Sequence, residues 1–579
     1  MAKLTGSRGS FFGNSASSLV KHPVQSQDIV QLMTDLNEVR RALDLFLNSH
    51  IKEAEDILRP RRKTSMYHSL GHSFILFLKC MMTFEEADNR ATIEALKQTL
   101  QLANDLRKSG TGWFDITSWV KTPIQSMNTI QRHAELVHAE AYLLKALITT
   151  VHDDSVMSFL REGLNIRSSY NTYCSLESCL KTGENDEHFQ SGVALGVGCF
   201  NLILSMLPPS VIRVAEFIGF SADRAHGVAV LESVSRASKD QGLRRQLCDM
   251  VIILYHLVLS KMMPLNNVDE VFAQKILDYN LKRYPSGVFF VYFHGRLLAS
   301  QGKLEEAKAE YRKAIETQKD WKQLQHMCFW ELGVIALAQQ QWEECFSMFD
   351  TLSRESQWSK SVYNYLKAVA LNKQGKDVTK LMKQVTATKQ KIGGKSLPME
   401  KFVSRKSRKF LAQDGLIFSD LEILNAFSIF DLIPEQLLLQ NLELINQSIQ
   451  TLDSDAADDI CLAYYLRALV ARTLTERYAQ DKRTLHQQSL EMVFANAPKV
   501  QLDHYIYYFA RYESARMLIL DSQFDEAEAE IQVILRADEK GVYNVGAGPH
   551  AKSKYSMANA LVFRCHNALA KIQSMKKNE

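Results

Sequence analysis

From Val288 to Trp321 the chain places small and large residues at intervals that suit two packed helices. Gly295 is followed after twelve positions by Ala307, and then by Tyr311 and Ala314. The order recurs from His326 to Ser359, where Gly333, Cys345, Phe349 and Leu352 occupy the matching places and the two glycines stand 38 residues apart. A third unit starts near Ser361, with Ala368 in the small position. Small side chains let two helices approach closely, but one pair cannot bury both of its faces. Stacking on the next pair completes the core, so these glycines and alanines are structural. Gly302, in the turn between the first two helices, is free to take positive φ.

A tetratricopeptide unit has this pattern over about 34 residues. Looser copies occur at Ala42, Leu45, Ala54 and Leu58, and at Gly71 and Phe74 with Ala91 and Ala95. Near the C-terminus Ala515, Leu518, Ala527, Ile531 and Ile534 repeat it, and a helix from about Tyr555 to Ile572 serves as a cap. Only 11 prolines and 25 glycines occur in 579 residues, too few for the frequent turns of an all-β chain. The expectation is an all-α, right-handed superhelical solenoid of tetratricopeptide-like helix pairs. Residues 1–26, rich in Ser, Gly and Asn, read as a disordered tail. Residues 27–382 form an N-terminal and central repeat lobe, 383–409 a basic linker, and 410–579 a C-terminal repeat lobe.

Catalytic and metal signatures are weak. His68 and His72 are four apart on one helix face, but a zinc-protease motif needs Glu at 69 and the chain has Ser69, so packing is the reading. Asp153 and Asp154 follow His152 in an inter-helix turn and read as solvated. Gly393, Gly394, Lys395 and Ser396 echo the end of a phosphate loop, yet Lys389 stands where its first glycine belongs and no strand precedes it. No catalytic residue, metal ligand or cofactor is assigned, and an enzyme is not expected. Nine scattered cysteines without a CxxC pair suit a reducing, cytosolic setting. The apolar stretch 193–207 is 15 residues long, shorter than the roughly 17–25 of a membrane span, and reads as a buried helix.

A solenoid of this type offers its concave face to partners. Taking Gly295, Gly333, Ala368 and Ala515 as register marks, the inward positions are Tyr292, Arg296, Ser300, Trp330, Val334, Tyr365, Asn372, Lys373, Tyr512 and Arg516. Their aromatic and cationic mix suits an extended or helical peptide. Of the tryptophans, Trp342 and Trp358 read as core and Trp330 is left open. The basic segment carries Lys401, Arg405, Lys406, Arg408 and Lys409, read as a solvated linker face, with contact to anionic lipid, RNA or an import receptor as the alternatives. A net charge of +4 gives no reason to expect nucleic acid. The expected partners are proteins, with weak membrane-surface contact through 193–220 and the basic segment as the competing reading.

Several strings resemble one family. They are SMYHSLG (65–71), MTFEE (82–86), FNL (200–202), LPP (207–209), EFIGF (216–220) with Arg224 and Gly227, DWKQLQH (320–326), WELG (330–333), ESQWSK (355–360) and GKSLP (394–398). Together they look like the tetratricopeptide repeat protein 39 family, itself similar to a fungal group linked to inclusion-body clearance, over roughly residues 30–575. The resemblance implies a cytosolic helical-repeat adaptor without catalytic residues, tied in some branches to lipid and sterol homeostasis and in another to cilium assembly. GKSLP resembles the lipid-linked branches, while parts of 320–377 resemble the cilium-linked one. It carries over no binding residues.

Overall fold

The computed structural model describes residues 28–83, 85–108, 124–152, 156–181, 185–206, 223–237, 242–262, 268–390 and 397–578, with positions 216, 219–221 and 265 between them. The expected tail, Asp153, Asp154 and the Gly393–Ser396 string lie outside the described residues. Among those described, regular structure is helical, and most helices pack on their neighbours in sequence to form a helical-repeat solenoid.

The close approaches fall where the spacing placed them. A Cβ on Gly295, in helix Val288–Ser300, would stand 2.6 Å from the ring of Tyr311 in helix Leu304–Thr317. A Cβ on Gly333, in helix Lys322–Ala338, would stand 2.8 Å from the ring of Phe349 in helix Trp342–Glu355. The two aromatics are wholly buried, as are Ala307, Ala314, Cys345 and Leu352. The turns share one geometry, a left-handed residue at Gly302 (φ 80°), Gln340 (φ 58°), Gly375 (φ 72°) and Ser522 (φ 58°). Glycine enters that region without strain, whereas Gln340 and Ser522 do so at a cost.

The early repeat departs from its expected register. Ala91 is exposed and Ala95 half-exposed, so alanines do not make the contact between helices Met66–Thr83 and Glu86–Lys108. Hydroxyls do: Thr99 Oγ1 lies 2.8 Å from Ser69 Oγ and 3.0 Å from Ser73 Oγ. Helix Glu187–Ser205 is a buried solenoid helix, its glycines pressed against Leu136, Tyr173 and Leu231. Among the described residues no helix is long and apolar enough to cross a membrane.

Much of the expected linker is helical among the described residues. Residues 398–413 form a helix, Pro398–Gln413, which packs on helices Lys360–Asn372 and Thr379–Ala387. One continuous apolar core runs from Val334 to Ile572 through Phe402, Val403 and Phe410. A second runs from Leu32 to Ile335. The two meet in helix Lys322–Ala338, and a third, smaller cluster gathers Leu136, Tyr173 and Phe200.

The first helix pair also folds back on the middle of the chain. Phe46 packs against Phe289 and Trp321, Ser49 Oγ donates to the Ser286 carbonyl at 2.7 Å, and Lys52 pairs with Asp320 at 2.8 Å. This return brings the end of helix Met66–Thr83 to the inner face of the central repeats.

Candidate functional site

A cavity of about 760 Å³ opens between the first, central and last repeats. Its wall is assembled from segments far apart in the chain: Met81 and Met82, Tyr292, Met327 and Trp330, Trp358 and Tyr363, Met399, Phe427, and Met557. Five methionines and five aromatics thus surround one opening. Methionine has an unbranched, polarizable side chain that reshapes to fit what it meets. Trp330 is held edge-on by Phe349 (5.7 Å) and Phe427 (5.0 Å), so a rigid indole sits among flexible thioethers. Trp358 Nε1 donates to the Met82 carbonyl at 3.2 Å and fixes one rim against another. At the edge, His326 approaches Glu355 at 3.7 Å, and burial holds the imidazole below its ordinary value. A wall of methionines and aromatics, with polar residues such as Gln323, His326, Glu355 and Gln357 also in its lining, can desolvate an apolar segment.

The inward residues expected from sequence divide into three groups. Tyr292 and Trp330 line this cavity. Tyr512 and Arg516 line a second cavity, of about 560 Å³, in the C-terminal repeats. The rest reach neither. Val334 and Tyr365 are core residues, 2% and 0% exposed. Arg296 is claimed by Glu331, in the first helix of the next repeat, at 2.8 Å; Glu331 also accepts from the Tyr292 hydroxyl at 2.9 Å. Ser300 Oγ donates to its own helix, at the Leu297 carbonyl. Lys373 pairs with Asp420 at 2.7 Å, and Asn372 stands half-exposed beside it. Several of the register's positions thus bind one repeat to the next. Trp358 corrects the core reading, since it is a cavity wall.

The basic segment is corrected too. Lys401, Arg405 and Arg408 are exposed on one helix face, while Lys406 and Lys409 point inward and are 2% and 4% exposed. Lys406 pairs with Glu422 and, at 2.8 Å, with Asp503; Lys409 reaches Asp459 at 2.7 Å and Asp503 at 2.9 Å. Burial pulls Asp503 upward, but the two ammonium groups outweigh it and hold the carboxyl at about 2. Such a network is internal, so the segment does not present five free cations. With helix Glu187–Ser205 also buried, the two features that favoured a membrane surface are largely turned inward.

His68 and His72 do not converge. His68 is buried beside Glu38 at 3.0 Å, and His72 Nε2 lies 3.0 Å from Arg62. Burial and that guanidinium lower His72 to about 4. Asp35, Glu38 and His68 lie close enough to share an ion, but Arg61 reaches Asp35 at 2.6 Å and Glu38 at 3.0 Å and supplies the positive charge.

The methionines and Phe427 were not singled out from sequence. The only local signal was the Met81–Met82 pair; the remainder come together through the return of the first repeats and the docking of helix Ala558–Asn578.

A family model described as Iml2/Tetratricopeptide repeat protein 39 matches residues 40–474. The chain is 29% identical over 567 residues to Tetratricopeptide repeat protein ttc-39B of Caenorhabditis elegans, covering 93% of each chain. No solved structure gives a significant match.

Proposed function

This chain belongs to the Iml2/Tetratricopeptide repeat protein 39 family, and on that premise we propose that it is a non-catalytic scaffold that captures an apolar segment of a partner protein in the methionine-lined cavity. The observation that carries this reading is the wall itself: Met81, Met82, Met327, Met399 and Met557 around Trp330 and Phe427. Flexible thioethers accept different apolar side chains, while fixed aromatics supply contact area at low entropic cost. The roles in lipid or sterol homeostasis and in cilium assembly that the resemblance implies depend, on this reading, on which segment is captured.

Peptide display on the purified full chain tests it. Selected binders share apolar or aromatic anchors, and they lose affinity by about tenfold or more with Met327→Lys but not with Glu306→Lys on an outer face. Binders indifferent to Met327→Lys contradict the proposal. A small apolar ligand is the second reading, favoured by a volume of about 760 Å³, inside the roughly 300–1,000 Å³ of ligand pockets. Native mass spectrometry of the purified chain separates the two.

A further inference from the structure

The second cavity has a different chemistry. It lies between helices Ala457–Tyr478, Tyr505–Leu520 and Ala558–Asn578 and the turn at Ser428. Its charged lining is uneven in how it is matched. Arg472 is buried and bonded to Glu513 and Glu476, with Asp431 at 3.8 Å. Arg516 shares Glu476 at 3.4 Å, and Lys261 is taken by Glu270 at 2.5 Å. The acids at the rim are therefore engaged.

Two cations on helix Ala558–Asn578 are not. Arg564 and Lys571 stand seven residues apart, two turns along one helix face, and both line the cavity. Arg564 donates to Ser428 Oγ and, among the described residues, has no carboxylate within 4.0 Å; neither has Lys571. Arg564 is half-buried, and burial, with Arg516 nearby, holds its guanidinium below the ordinary value. A partly buried cation without a counterion carries a desolvation cost, which a bound anion offsets.

We propose that this cavity binds a phosphoryl group, with Arg564 and Lys571 as its ligands and Ser428 and Arg516 beside them. A phosphoryl group carries about 1.5 to 2 negative charges near neutral pH, which matches two unclaimed cations. Its several oxygens accept from a planar guanidinium fork and from a mobile ammonium together, the arrangement by which such pairs hold phosphate. The site is independent of the apolar cavity but borders it: Ala560, one turn before Arg564, lines the methionine wall.

The test is calorimetric titration of the full chain with inorganic phosphate and with glycerol phosphate at constant ionic strength, alongside flotation with phosphatidylcholine vesicles with and without phosphatidic acid. The expected result is saturable binding of at least one phosphoryl compound, weakened about tenfold or more by Lys571→Gln and by Arg564→Gln, and unchanged by Arg408→Gln, an exposed arginine outside the cavity lining. Lys571 is less central to packing, so its variant keeps the test open if Arg564→Gln unfolds the helix, which circular dichroism reports. Equal binding of inorganic and glycerol phosphate marks a free anion as the ligand. Flotation only with phosphatidic acid marks a lipid headgroup. Absence of binding in all arms, or binding that both variants leave intact, overturns the proposal.

Discussion

The indole of Trp358 donates a hydrogen bond to the backbone carbonyl of Met82 at 3.2 Å, joining residues 276 positions apart. That bond closes the inner face of the solenoid on itself, because Met82 arrives there only through the docking of the first repeats on residues 284–321. Trp358→Phe keeps an apolar wall and removes the donor. The expected cost is about 1 kcal/mol, and faster amide exchange at 81–83 than in the parent chain. Exchange mass spectrometry checks this; unchanged protection at 81–83 counts against closure through this bond.

The tetratricopeptide contact predicts a coupled pair. Gly295→Ala sets a methyl 2.6 Å from the Tyr311 ring, and is expected to destabilise by about 1–3 kcal/mol. Tyr311→Leu alone also destabilises, by loss of buried area. The double variant is expected to lose less than the sum of the two, since the smaller side chain makes room for the methyl. Urea midpoints of the four proteins give the coupling directly, and simple additivity contradicts the contact.

The left-handed turn residues predict a gain. Gln340 and Ser522 occupy the position that Gly302 and Gly375 hold in sister turns. Gln340→Gly and Ser522→Gly relieve the Cβ strain there, and each is expected to raise stability by up to about 1 kcal/mol, seen as a higher melting temperature.

These same elements explain what could be read from the amino-acid order and what could not. The pairs Gly295–Tyr311 and Gly333–Phe349 were legible because both partners lie within one repeat, 16 residues apart. Ala91 misled because hydroxyls of Ser69, Ser73 and Thr99 took the small-residue role. Lys406 and Lys409 looked like part of a solvated run because their partners, Glu422, Asp459 and Asp503, lie up to 97 residues away and no local period announces them. The methionine wall was hidden for the same reason: Met82 and Met327 belong to distant helices and Met557 to the turn before the last one, and only the return of the chain makes them neighbours.

The buried lysines make two further expectations. Lys406→Met strips Glu422 and Asp503 of a shared counterion and is expected to cost about 3–5 kcal/mol, far more than Lys401→Met on the exposed face of the same helix. Acid has a related effect. Asp503 sits at about 2 when folded, against an ordinary carboxylate near 4 when unfolded. Its contribution is present above that ordinary value and is lost as pH falls towards the folded one, on the order of 2 kcal/mol in all. Asp186 adds to this in the N-terminal repeats, where bonding to His133 overcomes burial and holds it at about 2. Urea titrations between pH 6 and about pH 2.5 are expected to show falling stability, with a shallower fall in Asp503→Asn.

The central claim is that partners enter the methionine-lined cavity. A photoreactive amino acid placed at Met327, on the cavity wall, is compared with one at Glu306, on an outer face, in the full-length protein in cells. The account predicts a defined polypeptide cross-linked at 327, absent at 306, and lost when Trp330→Asp is added. Cross-links of equal yield at both positions, or capture at 327 that survives Trp330→Asp, contradict it.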